Sequence, residues 1–323
     1  MNRRLCVLLL SSLCWSLACA ALAESWPSKP IRLIVPFAPG GSADTLGRIF
    51  AHALSDELGE HVYVENHGGA GGVVAAAQVA RAEPDGYTLM VSGIASHVIA
   101  PALNANAGYD PIQDFTHIAY LGGPPIVWVA HTSLGVTTFN ELLRLLRSST
   151  EPLSYGSPGP GTQGHLVAAS LIQKLALPLV HVPYKGANPV MLDVVAGHIK
   201  LASVSWTTAL PHIRARSVIP IAMTASKRFA EFPAVPTLKE LGYPDLVATA
   251  WFSLSGPSGI PAEIVSRLNV EVTRALDRPQ LRSELDQEGM SVEIMDQDSF
   301  TQFVKAEIAR WTPIVRASGA TAD

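Results

Sequence analysis

Ile31-Arg32-Leu33-Ile34-Val35-Pro36-Phe37-Ala38-Pro39-Gly40-Gly41-Ser42-Ala43-Asp44 is an apolar, strand-like run that breaks into a Gly/Pro loop and then meets the start of a helix. From 44 to 58, Leu46, Ile49, Phe50, Ala53, Leu54 and Leu58 fall at helical spacing, and Gly59 stops the pattern. Working outward, 62–64 reads as a second strand, 68–72 as a loop, 73–82 as an Ala-rich helix and 87–92 as a third strand after the turn Pro84-Asp85-Gly86. Strand–helix alternation of this kind builds a largely parallel sheet with helices on both faces. A similar order recurs later: strands at 153–157, 180–184, 200–205 and 219–224, with helices at 165–175 and 189–196. A strand at 251–255, a Pro/Gly loop at 256–261 and helices at 262–276, 280–288 and 299–317 end the chain. The fold class is therefore α/β, with two units expected to form two lobes around a cleft. Crossings are expected near 129–135 and 242–251. Lobe 1 then comprises 24–130 plus 246–323, and lobe 2 comprises 131–245.

The chain of 323 residues is long enough for two domains. Arg3 and Arg4, the apolar run from 5 to 18 and the A-x-A sequence Ala21-Leu22-Ala23 read as a cleavable signal peptide over 1–23, which implies export. Attachment of lipid at Cys19 is the alternative, weakened by Ser16 where an aliphatic residue is preferred. Cys6, Cys14 and Cys19 all lie in this segment, so the mature chain is expected to have neither disulfide nor thiolate chemistry. Removing Arg3 and Arg4 lowers the 23 basic residues to 21 against 27 acidic ones, a net charge of about −6. With no Lys/Arg run either, nucleic acid is not an expected partner.

Two Gly-rich helix starts carry the candidate chemistry. In Pro39, Gly40, Gly41, Ser42, Ala43 and Asp44, the glycines permit close approach and the helix presents unpaired N–H groups, the arrangement that grips a carboxylate or phosphate without a cation. An ordinary strand–helix loop is the plain alternative. The second start is Gly156-Ser157-Pro158-Gly159-Pro160-Gly161-Thr162-Gln163-Gly164-His165. Gly159, Gly161 and Gly164 match G-x-G-x-x-G formally, but the acidic residue expected after the next strand is missing and Lys185 stands near that place. A second anion-gripping loop facing the first is the better reading. The sequence around Ser42 and Ser157 lacks the glycines of a nucleophile elbow. No H-E-x-x-H occurs, so neither metal nor cofactor is expected.

The ordered set of segments resembles one family. It comprises Trp26-Pro27, the quoted strand-loop, Val64-Glu65-Asn66, Gly69-Ala70-Gly71-Gly72, Pro84-Asp85-Gly86-Tyr87, Tyr109-Asp110-Pro111, Tyr155-Gly156-Ser157, Gly164-His165-Leu166, Val182-Pro183-Tyr184-Lys185-Gly186 and Trp251-Phe252. The whole is similar to the Bug family, the periplasmic solute receptors of tripartite tricarboxylate transporters. The resemblance implies a type II periplasmic-binding-protein fold that closes like a Venus flytrap, and a receptor rather than an enzyme. It implies binding of a small organic carboxylate through backbone amides and waters, and delivery to transporter membrane subunits or to a sensor kinase by a monomer. The positions carried over are Gly40, Gly41, Ser42, Ala43 and Asp44 in one lobe, and Ser157, Gly159, Gly161, Thr162 and His165 in the other. Lys185 and Ser205 are further candidates, with Ser92 and Gly93 as neighbours. The chain departs from the family at Asn66-His67-Gly68, where Asn-Arg-Pro is usual, and in the stiffening Pro158 and Pro160. The rival reading is a secreted hydrolase or isomerase using Asp44, His165 and Lys185.

Overall fold

The structure, a computed structural model, describes residues 26–320 except Ala105, Lys185, Ser291 and Gly319. The expected signal segment 1–23, Cys19 and Lys185 thus lie outside the described residues. The quoted stretch forms strand β1 (Ile31–Val35) and helix α1 (Ser42–Leu58). Strand alternation sends Ile31, Leu33 and Val35 into one core cluster with Leu46, Phe50 and Leu54 of α1, while Ile34 enters a second with Ala75, Ala76 and Val79. The sheet is therefore covered on both faces. Gly47 lets α1 lie close to β1, since a Cβ there would stand 2.8 Å from a methyl of Val35. Gly59 ends the helix in the left-handed region, its N–H donating to the Ser55 carbonyl.

The first sheet has the order β2-β1-β3-β10-β4, with β2 (Val62–Asn66), β3 (Thr88–Gly93), β4 (Phe115–Gly122) and β10 (Phe252–Pro257). Its first three strands are parallel, and β10 runs antiparallel to β3 and β4. Helix α2 (Val73–Val79) follows β2, and a π turn (Ala95–Ile99) leads from β3 into α3 (Ala100–Leu103).

The second sheet repeats the plan in the order β7-β6-β8-β5-β9, with β5 (Ile126–His131), β6 (Leu153–Ser157), β7 (Leu179–Pro183), β8 (Leu201–Ser205) and β9 (Val218–Met223). Val127 and Val129 of β5 face α6 (Ala187–Val195) and α7 (Trp206–Arg214). Ile126, Trp128 and Ala130 face α4 (Phe139–Ser148) and α5 (Gln163–Leu175).

In each sheet, the fourth position is filled by the strand that has just crossed from the other half. This exchange brings the two crossovers together: Ala250 N–H donates to the Pro124 carbonyl at 2.8 Å, and Pro125 pairs with Thr249. The outward crossing falls at 123–125, ahead of the expected 129–135, because Gly123-Pro124-Pro125 breaks the chain and Ile126 is already in register with Ser205 of β8. Residues 126–130 thus belong to the second sheet rather than the first. The return runs through the stretch before Phe252, where β10 begins.

Two strands and three helices lie outside the alternation read from the sequence: β4, β5, α3, α4 and α7. Of the last helices, α8 (Ala262–Asp277) and α9 (Pro279–Gln287) pack on the first sheet. Helix α10 (Gln297–Ala317) spans both halves, with Phe300, Val304, Trp311 and Val315 in one cluster with Tyr120 and Trp251 and with Trp128, Tyr155 and Leu166. Among the described residues, no helix is long and apolar enough to cross a membrane.

Candidate functional site

The β1–α1 loop is organised by Asp44. Its buried carboxylate accepts from Gly40 N–H (2.9 Å), Arg48 Nε (3.0 Å) and Asn66 Nδ2 (2.9 Å). Burial alone would raise its pKa, but the hydrogen bonds from Arg48, Gly40 and Asn66 outweigh it and hold the carboxyl below the usual aspartate value. Gly40 adopts φ +88°, which the tight return of its N–H onto Asp44 requires. Residues 38–41 are exposed, and Gly41 caps α1 without a side chain. The first-turn amides of Ser42 and Ala43 have no intrahelical acceptor. Asp44 builds the loop from behind.

The β6–α5 loop is bound up internally. Ser157 is fully buried, its Oγ 2.6 Å from Nε2 of His181 and accepting from Gly159 N–H at 3.2 Å. Thr162 caps α5, its hydroxyl accepting from His165 N–H and donating to the Gly159 carbonyl at 2.8 Å. Gly161 N–H donates to His165 Nδ1 at 3.2 Å, which puts the His165 proton on Nε2. The His165 and His181 rings stack at 4.2 Å. Burial, and then the neighbouring His165, pushes the His181 pKa down to about 4; burial lowers that of His165 as well. Gly159 and Gly161 both have positive φ, and Gly161 rests against Leu103 and Ile99, so the two halves touch there.

Between them lies a cavity of about 640 Å³. Ser92, Gly93, Gly161 and Thr162 line it, as does the stretch Ile94, Ala95 and Ser96 that follows Gly93. Phe37, Ala70, Gly71, Val73, Ile99, Ala100, Leu103, Asn104, Pro160, Gln163, Ala250 and Phe252 complete the wall. The remaining sequence candidates stand back from it. Pro39, Gly40, Gly41, Ser42, Ala43 and Asp44 follow Phe37 along the loop; Ser157, Gly159 and His165 underpin Gly161 and Thr162. Ser205 precedes α7, its hydroxyl 2.8 Å from that of Thr208.

Several lining residues escaped the sequence reading. Ala70 and Gly71 lie in the Gly69-Ala70-Gly71-Gly72 motif, where Ala70, Gly71 and Gly72 all have positive φ, so that motif was the available signal. Gln163 follows the capping Thr162; its Nε2 donates to the Thr249 carbonyl at 2.8 Å, tying α5 to the return crossover, and its buried Oε1 has no hydrogen-bond partner. Among the described residues, no charged side chain lines the cavity and no cluster of His, Cys, Asp or Glu is arranged to hold a metal.

A further cavity of about 440 Å³ lies behind the crossovers, between 247–251 and helices α9 and α10. Its arginines are committed elsewhere: Arg310 donates to the Asp245 and Val247 carbonyls and Arg282 to that of Leu276. The cavity between the sheets is therefore the candidate site.

Comparison with known proteins agrees with this architecture. BugT of Bordetella pertussis is 32% identical over 305 residues, covering 94% of this chain and 94% of BugT. The R. palustris protein Rpa4515, solved with adipate, superposes with a TM-score of 0.83 at 31% identity, over 92% of this chain and 99% of that one. MatC from Rhodopseudomonas palustris, solved with malate, gives 0.77 at 33% identity, over 90% and 100%. The family model described as "Tripartite tricarboxylate transporter family receptor" matches residues 46–320. With the two exchanged sheets and the cavity between them, this match makes the chain a member of that family of solute-binding receptors.

Proposed function

We propose that this receptor captures a small organic carboxylate between its lobes, closes on it, and delivers it to the membrane subunits of a tripartite transporter. The observation that carries the reading is the cavity itself, walled by both sheets and by the return crossover, with the start of α5 opening onto it. Its volume lies within the ~300–1,000 Å³ of ordinary small-molecule sites. Residue Gln163 and its neighbour Gly164 stand in the first turn of a 13-residue helix, where amides lack intrahelical acceptors and the helix dipole favours an anion. The α1 loop, with its amides free at Ser42 and Ala43, adds donors to the same carboxylate when the lobes close. Neutral donors suit a carrier, because release requires moderate affinity and a buried ion pair carries a desolvation cost. The adipate- and malate-bound relatives support this ligand class.

The same reading places the protein in the periplasm after removal of 1–23, as a monomer that binds without cofactor or turnover. The hydrolase alternative loses its pair: Asp44 is held by three donors and His165 by Gly161 and the His181 stack. A thermal-shift screen of small organic acids tests the proposal. A cognate acid at 100 times its Kd adds about 2.7 kcal/mol of stability. If no small acid stabilises the protein, carboxylate capture is wrong.

A further inference from the structure

Resting on the receptor reading above, we infer that the preferred ligand is a monocarboxylate with an apolar body, aliphatic or aromatic, rather than a di- or tricarboxylate. The two sides of the cavity differ in kind. From the first-sheet half, Phe37, Val73, Ile99, Leu103 and Phe252 present hydrocarbon. Their polar neighbours are already engaged: the Ser92 hydroxyl is 2.7 Å from that of Ser253 and 2.6 Å from that of Ser255, and Ser96 Oγ is 3.1 Å from His97 Nδ1. Asn104 Oδ1 accepts from Asn106 N–H, which leaves its Nδ2 as a neutral donor on this wall.

From the second-sheet half comes a single helix start at Thr162 and Gln163, enough for one carboxylate. The Gln163 amide is turned by its bond to Thr249, so the atom left over is an acceptor, which repels a second carboxylate instead of binding it. An added ionised group would give up its hydration in a wall that offers no charged side chain in return. A methylene chain or ring, by contrast, gains from the same wall. The volume of about 640 Å³ leaves room for such a body beyond the carboxylate.

The experiment is calorimetric titration of the purified protein with butanoate, hexanoate, octanoate and phenylacetate, beside malate, adipate and citrate. The affinity is expected to rise about fourfold per added methylene until the cavity fills, and octanoate or phenylacetate should bind more tightly than malate or citrate. Leu103→Asn should flatten the chain-length series. A flat series in the unaltered protein, or malate, adipate or citrate binding more tightly than every monocarboxylate, overturns the inference and leaves the receptor reading standing. Binding of no acid from either group overturns both.

Discussion

At the scale of the residue, Asp44 shows how a side chain serves a site from behind. One buried carboxylate fixes the turn at Gly40, the first turn of α1 through Arg48, and the end of β2 through Asn66. Asp44→Ala leaves those donors without their acceptor and is expected to cost about 1–3 kcal/mol in urea unfolding. Because the folded pKa is depressed, the charge contribution is complete above the ordinary aspartate pKa and is lost as pH falls through the lowered one. Asp44→Asn should remove that acid limb while keeping part of the stability at neutral pH. The sequence made only half of this legible. Asp44 and Arg48 stand at i, i+4 on a predicted helix, but Asn66 reaches Asp44 through the pairing of β1 with β2, which no local spacing encodes. The same limit applies to Ser157 and His165: their residue types marked the loop correctly, while the partner that buries them, His181, comes from the neighbouring strand β7.

At the scale of the element, segments set beside a helical pattern or a turn were readable, the largely buried β1 and β3 included, and apolar runs without that context were not. Helix α1 and strand β1 follow from spacing and a Gly stop. Strands β4 and β5 are buried along nearly their whole length, so they carry no period to read. Helix α4 did carry a signal, the capping box of Thr138 and Glu141. The cavity wall was hidden for another reason: the π turn and α3 are short and apolar, and only their position after β3 brings Ile99 and Leu103 to Gly161. Just beneath that arm, His97 and His117 face one another at 5.6 Å under Phe300 of α10, with Phe115 against His97. Burial, opposed by the Pro111 backbone and helped by the charge of Lys305, pushes His117 down to about 4; burial, then His117, lowers His97 well below its ordinary value. Both rings are therefore neutral in the folded protein at pH 7. Stability is complete above pH ~6.5 and falls as pH drops toward 4, because only the unfolded chain takes up the protons. At about 1.36 kcal/mol per pH unit, His117 alone accounts for up to roughly 3 kcal/mol. Denaturation measured from pH 7 to 4 should show this slope, and His117→Phe should reduce it; an unchanged slope would show that other groups set the acid limb.

At the scale of the molecule, the two exchanged strands and α10 join the halves that carry the two sheets. The crossovers lie side by side, and a Cβ on Gly123 would run into the Ala250 carbonyl. Gly123→Val is expected to force them apart at a cost of about 1–3 kcal/mol. Small-angle scattering should then lose the compaction that the proposed closure on an acid predicts for the unaltered protein. Helix α10 imposes the opposite constraint. Its residue Glu307 accepts from the indole N–H groups of both Trp251 (2.9 Å) and Trp311 (3.0 Å), which pins the helix to the return crossover, while Phe300 and Trp311 share a core with the second sheet. A hinge with only two strands of backbone would let each lobe unfold alone, whereas a helix buried in both cores makes the loss of either expose the other. Thermal unfolding is therefore expected as one transition, with calorimetric and van't Hoff enthalpies equal. Trp311→Ala removes a fully buried ring and one of the donors to Glu307, which keeps Trp251 and Arg310, so it should cost about 3–5 kcal/mol, and it should also weaken the coupling enough for the transition to broaden or split. Two resolved transitions in the unaltered protein would mean that α10 rides on one lobe only and that the crossovers alone join the halves.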